Sequence, residues 1–332
     1  MMGGCPVFVA TVCPTLTGSK VHPTASSSHA RRQKSGRSVT MTTSFPKISD
    51  GLSAIAKTHD ALLCDVWGVL HNGVNVYVDA ADALQRFRAQ GGKVVMITNS
   101  PRPSPGVIAQ FAELGVPDGV CDAVVTSGDV TRTLIEQAEG SVWLLGPERD
   151  EPLFDGLAVK RGDEAFCNTI VCTGLFHDEV ETPEDYRTRL TVLAARKVPM
   201  ICANPDLIVE RGDRMIHCAG SLAKLYAELG GEVRIAGKPH APIYALARKT
   251  LAELPGDAVD PSRIIAVGDG MPTDVKGAVD NGVDLLYISA GIHSAEYGPA
   301  DNPDAAALEA FMAAQGVTPT AWMPRLTWQR NG

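Results

Sequence analysis

The chain has 332 residues, of which 45% are hydrophobic and 20% charged, and its formal net charge at pH 7 is −8. This composition is typical of a globular protein with one large domain or two modest ones. The negative charge argues against a nucleic-acid-binding protein, which would normally carry a basic face. Because no run of eighteen apolar residues occurs, we expect no membrane-spanning helix.

The first 47 residues differ from the rest of the chain. Residues 1–49 contain no Asp or Glu, and they carry six Lys or Arg residues among many Ser and Thr residues. Such a segment cannot build a core, so we expect residues 1–47 to be disordered. Two interpretations stay open: an organelle transit peptide, or sequence upstream of a true start at Met41. The second places the protein in the cytoplasm and the first in an organelle.

The cysteines favour a reducing compartment. The chain has eight cysteines and no CxxC pair, and five of them lie in or beside apolar runs, which is typical of small buried residues rather than of a disulfide framework. These five are Cys64, Cys121, Cys167, Cys172 and Cys202.

From Leu52 onwards, apolar strands alternate with segments of helical spacing. Strands are predicted up to Asp65 and over 93–98, 123–126, 142–145, 169–172, 200–203, 233–236, 264–267 and 285–288. Helices are predicted over 52–57, 80–90, 104–114, 130–137, 183–196, 221–229, 242–254, 273–280 and 305–314. This alternation predicts an α/β fold with a parallel sheet and helical crossovers.

The block from about 141 to 232 is predicted to be an insertion. It has its own strands and helices, and no Pro/Gly/Ser-rich linker separates it from the residues before it. An insertion that leaves and rejoins a core by two neighbouring crossings fits this pattern better than two domains in series. We therefore expect a core formed by residues 48–140 and 233–332, and an inserted domain over 141–232.

Polar residues follow four of the predicted core strands. They are Asp65, the pair Thr98 and Asn99, Lys238, and the pair Asp269 and Asp274. Since the carboxyl ends of parallel strands lie on one edge of a sheet, these residues can converge there. Each alone has an ordinary alternative: an Asp or Thr at a strand end often caps a helix or a turn, and a Lys is usually a solvated surface charge.

Together these groups can cleave a phosphate ester. The Asp65 carboxylate can attack phosphorus and form an aspartyl-phosphate, while Thr98, backbone amides and the Lys238 charge hold the phosphoryl oxygens. Asp65 and Asp269 can share a Mg²⁺ ion, a hard cation that prefers oxygen ligands. Asp274 can orient Lys238 or a water on the metal.

These motifs resemble the haloacid dehalogenase (HAD) superfamily. The matching segments are Asp65-Val-Trp-Gly, Ile97-Thr-Asn, Gly237-Lys-Pro-His, and Gly268-Asp-Gly-Met-Pro-Thr-Asp, and the resemblance covers about Ile48 to Trp328. The last three forms, with Asn204-Pro-Asp206, look like the class IIA branch, which includes nitrophenylphosphatase-like enzymes and carries an α/β cap between motifs two and three. The resemblance implies a Rossmann-like core with helices on both faces and an inserted cap.

The resemblance also implies a set of roles. They are a nucleophile at Asp65, phosphate binding by Thr98, Asn99 and Lys238, and a Mg²⁺ site formed by Asp65, the Trp67 backbone carbonyl and Asp269, with Asp274 in the second shell. The partner is then a small phosphorylated molecule, with no nucleic acid or membrane, and a homo-oligomer is possible.

Trp67 departs from the family pattern. Phosphatases of this superfamily usually have an Asp at this position, two residues after the nucleophile, which protonates the leaving group and then activates water. Trp67 can do neither, and general acid/base help is typically worth about 10²–10⁴ in rate. Three functions therefore stay open: a slow Mg²⁺-dependent phosphatase, a phospho-ligand-binding protein with little or no turnover, and a phosphonate or other non-ester hydrolase.

Residues of the inserted block and one histidine are further candidates for substrate contact. Asp206, Arg211, Arg214 and His217 lie in one predicted strand-loop region of the cap, where surface solvation is the ordinary alternative. His240 follows Lys238 by two residues and can reach a ligand bound there.

Overall fold

The computed structural model describes residues 45–211 and 214–329. The predicted leader over residues 1–47 lies almost entirely outside the described residues. The strands are β1 (Ala61–Cys64), β2 (Lys93–Thr98), β3 (Ala123–Thr126), β4 (Ser141–Leu145), β5 (Lys160–Arg161), β6 (Thr169–Cys172), β7 (Met200–Cys202), β8 (Ile208–Arg211), β9 (Arg214–His217), β10 (Val233–Ile235), β11 (Ile264–Gly268), β12 (Asp284–Ile288) and β13 (Ala321–Met323).

Helices connect most of these strands. They are α1 (Leu52–Ile55), α2 (Val78–Ala89), α3 (Ser104–Leu114), α4 (Ser127–Glu136), α5 (Arg187–Ala195), α6 (Ala219–Glu228), α7 (Ala241–Glu253), α8 (Lys276–Asp280) and α9 (Ala305–Ala314). None of these helices has the length and apolar character needed to cross a bilayer.

The larger sheet has six parallel strands in the order β13-β12-β11-β1-β2-β3. Strand β1 is central, with β11 on one side and β2 on the other, so that Leu63 lies between Ala266 and Val95. All four residues of β1 are buried. This is the expected environment of a short apolar strand in a parallel sheet whose two faces are covered.

Helices cover both faces of this sheet. Leu62 of β1 belongs to a buried cluster with Leu84 of α2 and Phe111 of α3. The next residue, Leu63, belongs to the opposite cluster with Ile243 of α7. The alternation follows from the two-residue period of a strand. The predicted α/β class with a Rossmann-like, doubly covered parallel sheet is confirmed.

The second sheet has five parallel strands in the order β10-β7-β6-β4-β5. Helices α5 and α6 pack on it through a separate core that includes Leu190 and Tyr226. Strand β10 pairs with β7, so Val233–Ile235 belongs to this sheet and not, as we expected, to the sheet that holds Asp65. The division into a core and an inserted cap domain stays a prediction; the pairing of β10 with β7 favours a boundary after 235 over the predicted one after 232.

Three local features differ from the predicted elements. The helix expected over 273–280 begins instead with a π-helical turn, Met271–Val275, before α8. An antiparallel hairpin, β8 and β9, occupies the region for which only a mixed strand-loop was expected. Strand β13 was not predicted, although the apolar tail that contains it was expected to pack.

Core packing on α2 can be tested with two residues of the same helix. Leu84 is fully buried, whereas Val78 is 73% exposed. Leu84→Ala should lower the free energy of unfolding by about 2–5 kcal/mol, because it removes buried methyl groups and leaves a cavity. Val78→Ala should change it by less than about 0.5 kcal/mol. Urea denaturation measures both; equal effects would contradict the described packing.

Candidate active site

Three carboxylates meet at the carboxyl edge of the larger sheet. Asp65 directly follows β1, Asp269 directly follows β11, and Asp274 lies in the π-helical turn after β11. Because β1 and β11 are neighbours, their ends lie side by side, and the Asp65 amide donates to Val267 O at 2.8 Å. One oxygen of each carboxylate lies within 4.8 Å of the others. The predicted convergence of these motifs is therefore present.

Lys238 is buried among these carboxylates. Its side chain is 2% exposed, and Nζ donates to Asp65 Oδ1 at 2.6 Å and to Asp274 Oδ1 at 2.7 Å. An ammonium group at this depth is stable only when charged partners surround it. Burial acts to lower the pKa of Lys238, but the charges of Asp274 and Asp65 outweigh it and raise this pKa well above its ordinary value. Lys238 is therefore a fixed positive charge.

Asn99 joins the second and third motifs. Its Oδ1 accepts from the Lys238 backbone amide at 2.7 Å, and its Nδ2 donates to Asp206 Oδ1 at 2.9 Å. Both ends of the amide are thus engaged by the protein. The side chain therefore positions Lys238, and the phosphate contact predicted for Asn99 stays a prediction for its backbone amide.

Thr98 keeps a hydroxyl proton for a ligand. Its Oγ1 accepts from the Ser100 amide at 3.2 Å, which fixes the oxygen but leaves the O–H free to point elsewhere. The residue is only 6% exposed, and it lines a cavity between the two sheets. This is the location expected for a phosphate-binding hydroxyl.

Asp274 contacts Lys238, as predicted, and it also makes a local turn bond, which is the ordinary alternative for an Asp at a strand end. Its Oδ2 accepts from the Gly270 amide at 3.1 Å, which is local turn chemistry. Its Oδ1 accepts from Lys238 Nζ. The turn bond aims the carboxylate, and the free oxygen orients the lysine.

The cluster carries more negative than positive charge. Three carboxylates surround one ammonium group, and all four side chains are at least nine-tenths buried. Burial, and then the negative charge of Asp274, raises the pKa of Asp65 well above its ordinary value and that of Asp269 to about 7. A divalent cation would offset this excess charge.

The surroundings of Asp269 fit a metal ligand. The Ile292 amide donates to its Oδ2 at 2.9 Å and fixes the carboxylate. A methyl group on Gly291 would come within 1.9 Å of this oxygen, and one on Gly68 within 2.6 Å. These two glycines therefore keep open the space in which the carboxylate lies. Oxygen donors in such a group suit Mg²⁺.

A cavity of about 310 Å³ reaches the ends of β1 and β2 at Val66, Trp67 and Thr98, whereas Asp65, Lys238, Asp269 and Asp274 are not among its lining residues. The larger sheet contributes Trp67, Thr98 and Arg102, and the segments around the second sheet contribute Arg149 and Asp206, among others. Of the further sequence candidates, Asp206, Arg211 and His217 line it, whereas Arg214 and His240 are not among its lining residues. His240 is exposed at the start of α7, so its expected contact with ligand is not supported.

The Trp67 side chain is packed in place beside this cavity. Its ring meets the His71 ring edge-on, with centroids 5.2 Å apart. A methyl group on Gly73, whose φ is +82°, would come within 2.4 Å of the indole. The position that holds an acid in the family's usual motif is thus filled by an anchored apolar wall.

Two family models match the chain. The model described as haloacid dehalogenase-like hydrolase matches residues 62–160, and the model described as HAD-hydrolase-like matches residues 235–311. A crystal structure of a haloacid dehalogenase-like hydrolase from Brucella suis 1330 is 48% identical, covers 84% of this chain and 100% of its own, and superposes with a TM-score of 0.76. The chain belongs to the haloacid dehalogenase-like hydrolase family.

Other HAD relatives are more distant. The D-glycerol 3-phosphate phosphatase of Mycobacterium tuberculosis is 29% identical over 262 residues, which cover 74% of this chain and 67% of that protein. The structure of a 4-nitrophenylphosphatase from Thermotoga maritima has a TM-score of 0.62 at 19% identity, and it covers 82% of this chain and 96% of its own. The resemblance to HAD hydrolases stated from the motifs is confirmed, and the protein is an enzyme of this hydrolase family.

Sequence reasoning missed several residues of the cavity. Arg102, Arg149 and Asp178 line it, although they lie in loops and turns with no recognisable motif. His71 also lines it, and its Nδ1 accepts from the Gly73 amide at 3.0 Å. The His-Asn-Gly segment indicated only a turn. The one available signal was position: Arg102 follows Thr98 by four residues.

The excess charge predicts a pH dependence of stability in metal-free protein. Because the folded-state pKa of Asp269 is raised to about 7, folding favours its protonated form. The resulting stabilisation is complete below the ordinary carboxyl pKa and is lost as the pH rises through 7. With chelator present, the melting temperature should therefore fall between pH 5 and pH 8.

Asp269→Asn supplies the control for this prediction, because its amide does not ionise. Its melting temperature should fall less over the same pH range. Mg²⁺ should raise the melting temperature of the unmodified protein more at pH 8 than at pH 5, since ligands must be deprotonated to bind a metal. The same pH slope in both proteins would contradict the assignment.

Proposed function

We propose that the protein is a Mg²⁺-dependent phosphatase that hydrolyses a small phosphorylated molecule through an aspartyl-phosphate on Asp65. The observation that carries this proposal is the buried cluster in which Lys238 bonds to both Asp65 and Asp274, next to a cavity lined by Thr98. The phosphatase named among its relatives supports the choice of phosphate esters.

Asp65 is the proposed nucleophile. Lys238 holds its Oδ1 at 2.6 Å, so the carboxylate has one orientation at the end of β1. Attack by a carboxylate oxygen forms a bond to phosphorus and breaks the bond from phosphorus to the ester oxygen, which leaves as an alkoxide or phenoxide. Water then attacks the acyl phosphate, which releases inorganic phosphate and restores the Asp65 carboxylate.

Thr98 and Lys238 stabilise the transferred group. The Thr98 hydroxyl can donate to one phosphoryl oxygen, and the Lys238 ammonium group supplies a fixed positive charge beside the nucleophile. These groups are held before substrate arrives, by the Ser100 amide at Thr98 and by Asn99 at the Lys238 backbone. Preorganised charge and donors of this kind are the main catalytic contribution in phosphoryl transfer.

The metal ligands in this proposal are Asp65, Asp269 and the Trp67 backbone carbonyl, with Asp274 beside them. A bound Mg²⁺ would offset the repulsion between the anionic nucleophile and the anionic substrate. The structure supports this choice through the excess negative charge of the cluster and the space that Gly291 leaves around Asp269.

Trp67 favours one alternative function. The indole cannot protonate a leaving group, so turnover depends on esters whose leaving group departs without a proton. If turnover is absent, the same cluster and cavity would form a binding site for a phosphorylated ligand. Phosphonates and other non-ester substrates remain a third class, which the same assays can include.

The nucleophile can be tested by one substitution. Asp65→Asn should reduce the kcat for nitrophenyl phosphate with Mg²⁺ by at least about a thousandfold, because an amide cannot form the acyl phosphate. Asp82→Asn is a suitable control, since Asp82 lies on the surface of α2 in an ion pair with Arg86. The control should keep its activity.

Three outcomes of this experiment are informative. Activity that survives Asp65→Asn would overturn the nucleophile assignment. Thermal stabilisation by phosphorylated ligands without any turnover of phosphate esters would support the binding protein instead. Turnover restricted to phosphonates, measured in the same panel, would move the protein to the third class.

The missing acid can be tested at Trp67. Trp67→Asp should raise kcat for an alkyl phosphate by about 10²-fold or more, because a carboxyl group would then protonate the poor leaving group. The gain should be smaller for nitrophenyl phosphate, whose leaving group needs no proton. Trp67→Asn introduces a side chain of the same size as Asp but without an acidic proton, so this variant should show no gain. Equal kinetics of the two variants would mean that the absent acid is not the limiting defect.

A further inference from the structure

Three arginines line the cavity that adjoins the proposed catalytic cluster. Arg102 lies in the loop after β2, Arg149 in the 3₁₀ segment after β4, and Arg211 at the end of β8. They come from parts of the chain that are far apart in sequence, and the fold brings them together around one space. The proposed chemistry requires a binding site for one phosphoryl group, and Thr98 and Lys238 already supply it.

Two of these arginines are held by one buried carboxylate. Arg149 Nη2 donates to Asp178 Oδ2, and Arg211 Nη2 donates to the same oxygen at 3.2 Å. The Asp178 side chain is 9% exposed, while those of Arg149 and Arg211 are 45% and 35% exposed. These bonds orient the guanidinium groups and use one of the five N–H donors of each, so further donors can bind a ligand.

The carboxylates that line the cavity already have partners or are buried. Asp178 accepts from both Arg149 and Arg211. Asp206 is bound to Asn99, on the side of the catalytic cluster, and Asp150 is buried. The guanidinium groups of Arg149 and Arg211 therefore stay partly exposed beside the remaining space, with N–H donors that Asp178 does not use.

A buried polar atom beside the arginines also points to a ligand. Nδ1 of His217 is buried and has no hydrogen-bond partner among the described residues, although His217 lines the cavity. An unpaired buried nitrogen is costly unless a ligand or water satisfies it. His217 lies opposite Ile208 in the β8–β9 hairpin, and Arg211 ends the same strand as Ile208.

Apolar side chains complete the cavity. Trp67, Val107, Val209 and Ile216 contribute to its lining. This wall suits a substrate body with an apolar or aromatic face.

We propose that the substrate carries a second anionic group, a carboxylate or a second phosphate, which Arg102, Arg149 and Arg211 bind in this cavity. This inference rests on the proposed phosphatase function and names its substrate class: a compact phosphomonoester with another oxyanion. Guanidinium groups recognise both oxyanions by paired N–H donors. These three arginines thus select the substrate, and the cluster around Asp65 cleaves it.

Matched aryl phosphates test this inference. The probes are 4-carboxyphenyl phosphate, its neutral methyl ester, and hydroquinone bisphosphate, with 2-carboxyethyl phosphate and its methyl ester as a shorter pair. The neutral esters retain the size and phosphate of the acids and lack the second charge. We expect kcat/KM to be at least about tenfold higher for a probe that carries the second anionic group than for the methyl ester that lacks it, mainly through a lower KM. Comparison of 4-carboxyphenyl phosphate with hydroquinone bisphosphate shows whether the site prefers a carboxylate or a second phosphate.

Glutamine variants assign the preference to the arginines. Arg211→Gln and Arg149→Gln should each remove most of the preference for the second anion. Two controls come from the same segments of the chain. Arg214, on the same hairpin, pairs with Glu179, and Arg161 pairs with Glu151; neither is among the cavity-lining residues. Arg214→Gln and Arg161→Gln should keep the preference. Equal kcat/KM for acid and ester in both probe pairs, or loss of the preference in the controls alone, would overturn the inference.

A binding measurement separates this inference from the phosphatase proposal. Calorimetry of the full-length Asp65→Asn protein with (4-carboxybenzyl)phosphonic acid and the methyl ester of its carboxyl group does not depend on turnover. Tighter binding of the acid, lost in the Asp65→Asn/Arg211→Gln double variant, would support the arginine site even if no ester is hydrolysed. Hydrolysis of phosphate esters without discrimination between acid and ester would leave the phosphatase standing and refute the arginine site.

Discussion

The structure of the site depends on one buried ammonium group. Lys238 Nζ bonds to Asp65 and Asp274, which come from opposite ends of the core sequence, and its backbone amide is held by Asn99. Removing either carboxylate partner of a buried charge is expensive, so the three motifs are energetically coupled. The same arrangement leaves net negative charge around Asp269, and this excess is the physical reason why a divalent cation suits the site.

Trp67 divides the site into two functional parts. On one side, the buried cluster of Asp65, Lys238, Asp269 and Asp274 supplies the groups that our proposal uses for phosphate transfer. On the other side, an anchored indole forms an apolar wall of the cavity at the position where the family's usual motif has an acid. Under our proposal, such a site favours substrates whose leaving groups need no proton, and three arginines of the same cavity select them by a second anionic group.

Local sequence patterns predicted the larger sheet well because its strands are short apolar runs and its helices have clear spacing. The prediction was weaker where pairing with distant residues decides the structure. Strand β10 has ordinary strand character, and only its pairing with β7 places it in the second sheet. The turn at Met271–Val275 is π-helical at the point where Asp274 bonds to both Gly270 and Lys238, a constraint that helical spacing does not reveal. For the hairpin β8–β9, the sequence does carry a common two-residue turn signal, Gly212-Asp213, which the expectation of a strand-loop region did not use.

By itself, the sequence determined the α/β class, the order of the strand-end motifs and the convergence of Asp65, Asp269 and Asp274. Parallel strands align their carboxyl ends, so order along the chain is enough to place such residues on one edge. Only the tertiary structure decided that Lys238 reaches the carboxylates from the end of a strand of the second sheet, and that the Asn99 side chain holds its backbone. It also decided that His240 is not among the cavity-lining residues and that Arg102, Arg149 and Arg211 line one cavity. These outcomes depend on side-chain direction and on contacts between the two sheets, and neither has a periodic signature that can be read along one chain.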